Sequence, residues 1–261
     1  AANRTSSFAP ITGSRLQGGE YLLTNATGAA TLNTVVRWDS NTGWYDATGN
    51  SAPISWMLRR APGFFDVVCY TGTGSARTVS HNLGVAPEFM IVKQRDGSTN
   101  WITYNNTKGA TEYLVLNASQ QSFSGTFWNN TAPTSSVFSL GTGFPVNLSG
   151  GTYVAYLFAS CPGVSKVGSY TGTGATQTIS CGFTGGARYV LIKRTDSTGD
   201  WWIWDTARGM VAGTDPRLAY NSTAAETNAN WVYTTTGGFQ IVTSDATVNA
   251  NGGSYIYLAI A

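Results

Sequence analysis

Charge is scarce in this chain. Only 11% of its residues are Asp, Glu, Lys or Arg, against about 25% in ordinary globular proteins. The net charge is +2 and no basic run interleaves with aromatics, so nucleic acid is not an expected partner. There is one histidine, His81. A Ser-His-Asp or Cys-His centre needs a histidine beside a nucleophile and an orienting acid, and nothing in the spacing brings these together. The chain therefore reads as a non-enzyme, with no catalytic residue and no cofactor. Its three cysteines are Cys69, Cys161 and Cys181. A disulfide framework would be denser and even-numbered, so they read as buried free thiols; no spacing rule supports a Cys161–Cys181 bridge. No apolar stretch approaches the roughly 18 residues of a membrane span. No window keeps a helical period.

What is abundant is aromatic residues, at 13%, together with 31 glycines and many Thr, Ser and Asn. Low charge with a large apolar payload is not a disorder signature. It suits a rigid surface of hydroxyls, amides and rings.

One pattern is written twice. Tyr70-Thr71-Gly72-Thr73-Gly74 recurs as Tyr170-Thr171-Gly172-Thr173-Gly174, and Lys93, Asp96 and Trp101 recur as Lys193, Asp196 and Trp201. Residues 61–104 align with 161–204 without a gap, and 13 of 44 positions are identical. That length marks a duplicated domain rather than a solenoid unit of roughly 20–50 residues. Nearly every segment reads as strand or turn, with turn signals at intervals of roughly 8–12 residues. The expected fold is all-β: tandem, jelly-roll-like β-sandwich domains at 61–160 and 161–261. Residues 1–60 look like the second half of a third copy. Glu20–Thr27 resembles Glu112–Ser119 and Arg217–Thr223, Ile54–Leu58 resembles Val154–Phe158, and Trp38 falls near the place of Trp128 and Trp231.

A half-copy has open edges, which are an aggregation hazard unless covered. The segment carries Tyr21, Leu22, Leu23, Val35, Val36, Trp38, Trp44 and Trp56, too much apolar surface for a free tail. Either the next repeat or a neighbouring chain should cover it. The expectation is a homo-oligomer, with a trimer favoured for a fibre, in which deleting residues 1–60 leaves a monomer of two intact domains.

Residues 61–101, 128–143, 150–160 and 168–209, including "CYTGTGSARTVSHNLGVAPEFMIVKQRDGSTNW" and "GSYTGTGATQTISCGFTGGARYVLIKRTDSTGDWWIWDTARG", resemble a domain family of unknown function found in tailed-phage virion proteins. These are tail-fibre and appendage proteins, notably of phages of cyanobacteria and other aquatic bacteria. The resemblance covers essentially 61–261. It implies an extracellular, virion location and other virion proteins as partners, and it supplies no assigned site residues. The expected function is a non-enzymatic tail-fibre or appendage module, with host surface glycans as candidate ligands. The alternatives are a capsid decoration or cement protein, a filament subunit assembled by strand exchange, and a polysaccharide depolymerase.

Candidate chemistry is thin. Two carboxylates roughly 5–10 Å apart would be needed for glycoside hydrolysis, but the 13 acids are scattered and mostly sit beside turn residues. Asp196 and Asp200 share a loop, yet calcium wants six to eight oxygens, so a hairpin turn is the better reading and no metal is expected. Trp202 and Trp204 should share one face of a strand, with Trp201 on the other. Trp202 is new in the second copy, and Trp202 and Trp204 are the candidate rings for stacking on a sugar. The sequons at Asn3, Asn25, Asn105, Asn117, Asn129, Asn147 and Asn221 read as chance in an Asn- and Thr-rich chain.

Overall fold

The computed structural model describes residues 2–3, 9–32, 36–37, 45–46 and 53–261. Trp38 and Trp44 lie outside the described residues. The fold is all-β, in antiparallel sheets, with two α-helices of only four residues each and one 3-10 turn at Arg15–Gln17 among the described residues.

The N-terminal segment holds short strands β1 (Ala2–Asn3), β2 (Ile11–Thr12), β3 (Glu20–Leu23), β4 (Thr31–Leu32), β5 (Val36–Arg37), β6 (Tyr45–Asp46) and β7 (Pro53–Ile54). Repeat 1 comprises β8 (Phe65–Thr71), β9 (Arg77–Ser80), β10 (Phe89–Gln94), β11 (Ile102–Asn105), β12 (Glu112–Val115), β13 (Phe123–Ser124), β14 (Val137–Leu140), helix α1 (Phe144–Asn147) and β15 (Thr152–Phe158). Its large sheet runs β8-β15-β10-β11-β12-β13, and β9 pairs with β14 in a second sheet. Repeat 2 comprises β16 (Ser165–Thr171), β17 (Gln177–Ser180), β18 (Tyr189–Arg194), β19 (Trp202–Asp205), β20 (Asp215–Ala219), β21 (Thr227–Ala229), β22 (Val232–Thr235), β23 (Gly238–Ile241), helix α2 (Ala246–Asn249) and β24 (Ser254–Ile260). Its sheets run β16-β24-β18-β19-β20-β21 and β17-β23-β22. The strand order is the same in both copies, with β22 added. The first strands follow jelly-roll order, and β11–β13 then continue the large sheet as a meander.

The large sheets are buried on both faces, which is why their strands read as nearly unbroken apolar runs. Along β10, Met90 and Val92 point into a core private to repeat 1, with Phe138 and Leu140 opposite. Repeat 2 has an equivalent private core around Ile192, Trp204 and Phe239. The alternate residues, Phe89 and Ile91, point the other way. They enter a third core built jointly by Leu22 of the N-terminal segment, Phe65, Trp101, Leu114 and Phe158 of repeat 1, and Leu191, Trp201 and Leu258 of repeat 2. Full burial of such side chains stabilises by about 1.5–3 kcal/mol each, so the two repeats and the described part of the segment are joined through one apolar centre.

The Thr-Gly-Thr-Gly turn appears twice because it docks twice on a short helix. Tyr70 donates to the Val146 carbonyl at 2.7 Å and stacks on Tyr153, with ring centroids 5.0 Å apart. Tyr170 does the same to Val248 at 2.6 Å and to Tyr255 at 4.9 Å. The amides of Thr73 and Thr173 donate to Asn147 and Asn249, each at 2.9 Å. A Cβ on Gly72 would lie 2.2 Å from the Leu148 carbonyl oxygen, and one on Gly172 would lie 2.2 Å from that of Ala250. Only glycine permits that approach.

Candidate functional site

Two side chains kept in both copies, a lysine and a tryptophan, lie on the seams between units. Lys93 is fully buried, and its Nζ donates to the carbonyls of Gln94 at 2.7 Å, Gly97 at 3.2 Å and, across the seam, Thr27 at 3.1 Å. Lys193 is equally buried and donates to Arg194 at 2.6 Å and, across the next seam, to Ser119 at 3.1 Å. Thr27 and Ser119 are matching positions of the segment and repeat 1. Burial pushes both amines down, from an ordinary lysine value to about 8.

The tryptophans behave likewise. Trp101 Nε1 donates to the carbonyls of Leu23 at 3.0 Å and Ala26 at 3.1 Å, while Trp201 Nε1 donates to that of Val115, the counterpart of Leu23, at 2.9 Å. Two backbone bonds complete each seam. Thr99 N–H meets the Thr27 carbonyl at 3.0 Å, and Gly199 N–H meets that of Ser119 at 2.8 Å. Ala30 N–H meets the Arg95 carbonyl at 2.6 Å, and Ser122 N–H meets that of Thr195 at 2.9 Å. The segment therefore docks on repeat 1 as repeat 1 docks on repeat 2. Of the two ways of covering the half-copy, its described residues use the adjacent repeat.

Repeat 2 reaches back to the segment by different contacts. Thr24 Oγ1 donates to the Tyr220 carbonyl at 2.8 Å, and Trp56 packs edge-on against Tyr189 and Tyr220, each at 6.1 Å. Trp56 Nε1 donates to Asp205 Oδ2 at 2.9 Å, and the Arg208 guanidinium lies over its ring at 5.6 Å. Arg208 is itself buried between Asp205, at 2.6 Å, and Glu226, at 3.1 Å.

Of the two tryptophans read from sequence as sugar-stacking rings, Trp204 is fully buried in the private core of repeat 2. It has no face to offer a ligand, because the β19 residues on that side point under the second sheet. Trp202 shares that side, as the strand alternation requires, and keeps partial exposure. Its ring is occupied: Arg217 lies over it at 4.4 Å, Trp231 meets it edge-on at 5.8 Å, and its Nε1 donates to Thr247 Oγ1 at 3.1 Å. Trp231 and Trp128 are not structural equivalents. Val242 N–H bonds the Trp231 carbonyl as Gly141 N–H bonds that of Phe127, which aligns Trp231 with Phe127 and the buried Val232 with Trp128.

His81 is buried just past β9. Its Nε2 lies 3.2 Å from the Thr134 carbonyl, and its Nδ1 accepts from Leu83 N–H at 3.2 Å. These partners select the neutral tautomer with the proton on Nε2, and burial lowers its pKa. Asp196 accepts from Arg194 at 2.8 Å and Asp200 from Asn221 at 2.7 Å; both serve the β18–β19 turn and its neighbour. Among the described residues no three His, Cys, Asp or Glu side chains gather as metal ligands. All three cysteines are free thiols. Two of the sequon residues, Asn105 and Asn147, are buried.

Residues 24–261 match a family described as a domain of unknown function (DUF7483). The chain belongs to this family. No curated protein and no solved structure matches it. The DUF7483 match begins at Thr24, inside the N-terminal segment, so it takes in the Thr27 and Ala30 contacts with repeat 1. The matched span thus takes in the second seam and most of the first, whose Leu23 lies just outside it, although repetition alone marks 61–261.

Proposed function

We propose that the protein is a non-enzymatic structural module of a phage particle, an outward-facing tail-fibre or appendage component that meets host surface glycans. The supporting observation is the seam built twice. The lysine and tryptophan that survive duplication are spent on joining units, with Lys93 and Lys193 fully buried against carbonyls of the preceding unit. Catalytic side chains instead face a cleft and keep a reacting atom within reach. The resemblance of residues 61–261 to virion proteins supports a location on the particle.

Antibody-labelled electron microscopy of the virus particles that carry the protein tests this reading. Label on tail appendages is the expected result. Label on the capsid shell would make it a decoration protein, and unlabelled particles would overturn the virion assignment. Release of reducing sugar from host polysaccharide by the purified chain would overturn the non-enzymatic half.

A further inference from the structure

Repeat 1 contains a cavity that repeat 2 has filled. Its volume is about 330 Å³, at the small end of the roughly 300–1,000 Å³ typical of small-molecule sites. Ile102 forms part of the lining, with Tyr113, Phe123 and Phe127 as aromatic walls and Asn100 and Gln120 as polar members. The rings are held by one another and by bare backbone. Tyr113 meets Phe127 edge-on at 4.6 Å and Phe123 at 5.6 Å. A Cβ on Gly125 would come within 2.7 Å of the Tyr113 ring, and one on Gly143 within 2.4 Å of the Phe127 ring. Both rings lie where only glycine leaves room.

The duplicate shows what this space accepts. Trp202 stands where repeat 1 has Ile102, Arg217 where it has Tyr113, and Trp231 where it has Phe127. There the Arg217 guanidinium lies 4.4 Å from the Trp202 ring and 3.3 Å from that of Trp231. The Trp202 indole N–H is taken by Thr247, whose hydroxyl donates to Asp245 at 2.5 Å. Repeat 1 has Pro145 and Gly143 at those two positions, so the polar anchor is gone together with the indole. Repeat 2 closes the site with its own flat ring, whereas repeat 1 leaves it open.

We propose that the cavity of repeat 1 binds one neutral pyranose residue of a glycan, its apolar ring face against the Tyr113–Phe127 wall and its hydroxyl edge toward Asn100 and Gln120. No charged residue lines the cavity, which disfavours an acidic or cationic ligand. An aromatic wall beside carboxamides is complementary to a ring with one apolar face and a polar rim. The Asn100 side chain is already oriented, since its Oδ1 accepts from Asn117 at 3.0 Å and so turns its amide N–H groups elsewhere. This deepens the reading of the protein as a glycan-contacting module and rests on it for the ligand's source, but not for the site's chemistry.

The test is saturation-transfer NMR on the purified full chain with neutral methyl glycosides of glucose, galactose and N-acetylglucosamine, then titration of any that bind. Ile102→Trp copies repeat 2 and should weaken binding by at least about tenfold, equivalent to about 1.4 kcal/mol, with the melting temperature as a folding control. Gln120→Ala, at an exposed position, gives a second variant that does not depend on repacking and should weaken binding measurably. No saturation transfer from any neutral glycoside would overturn the proposal. So would binding unchanged in both variants, or a preference for a uronic acid or for free indole over the neutral sugars. Failure here alongside label on tail appendages would remove the sugar site and leave the structural role standing.

Discussion

Trp56 donates its indole N–H to Asp205 Oδ2 over 2.9 Å, linking positions 149 residues apart in the chain. It is the clearest polar tie between the N-terminal segment and repeat 2. Asp205 also holds Arg208, so the indole competes for a carboxylate already engaged. Trp56→Phe keeps a smaller ring beneath the Arg208 guanidinium and removes the N–H together with part of the packing on Tyr189 and Tyr220. The expected loss is about 1.5–3 kcal/mol, the usual worth of a hydrogen bond to a charged group. Chemical denaturation checks it, and an unchanged midpoint would show that the tie contributes nothing.

Lys93→Met and Lys193→Met should each loosen one seam. The substitution keeps an apolar stem and removes the ammonium's bonds across the seam, while the Thr27 and Ser119 carbonyls keep their backbone donors Thr99 and Gly199. A cost of about 0.5–1.5 kcal/mol per lost hydrogen bond is expected for each. Hydrogen exchange should locate the damage. Lys93→Met should speed exchange at Ala30 N–H, and Lys193→Met at Ser122 N–H, because these amides cross the respective seams. Equal acceleration across the whole chain would mean that the seams do not loosen separately.

The same lysines predict a response to alkali. Burial lowers both amines to about 8, while in the unfolded chain they return to about 10.5. Between those values the unfolded chain binds more protons, so the contribution of these groups to stability rises as pH increases. Read downward, it is present above pH 10.5 and lost as pH falls to about 8. Unfolding near pH 9 should therefore take up protons, measurable by calorimetry in buffers of different ionisation enthalpy. The uptake should shrink in each Met variant.

Residues 1–60 read from sequence as an assembly element whose removal leaves a clean monomer. The contacts lead to a different expectation. A chain beginning at Ala61 would uncover Trp101, Lys93 and Tyr156 together, since Leu23, Thr27 and Gln17 partner them. Such a chain should bind a hydrophobic dye and self-associate. Light scattering that finds a stable monomer with an unchanged melting temperature would show that the segment is dispensable.

The all-β architecture and the duplication were legible because residues 61–104 and 161–204 align without a gap, and because the doubly buried strands announce themselves as apolar runs. The resemblance of Glu20–Thr27 to Glu112–Ser119 was legible, and the two stretches make matching contacts with the unit that follows each. Two things were not legible. Strand alternation places Trp202 and Trp204 on one side but does not say that Trp204 lies deeper under the second sheet. The cavity was hidden because repeat 2 is longer between β19 and β20: the match of Arg217–Thr223 to Glu112–Ser119 sets Arg217 at Tyr113, but Phe127 meets Trp231 only after the strands are superposed.

Residues 9–32 leave the ribosome long before the groups they need. Leu23 and Thr27 wait for Trp101 and Lys93, and Thr24 waits for Tyr220, 196 residues later. At roughly 5–20 residues per second, that last interval is about 10–40 s, during which Leu22 can already meet Phe65, Trp101 and Leu114 of repeat 1 but Thr24 lacks its Tyr220 partner. Closure of so long a loop is paid for before its contacts form. The chain should therefore acquire its native structure only once synthesis has passed Tyr220. Until then the surface that Trp56 and Thr24 offer to Tyr189, Asp205 and Tyr220 stays open, so a chain cut short before Tyr220 should bind a hydrophobic dye.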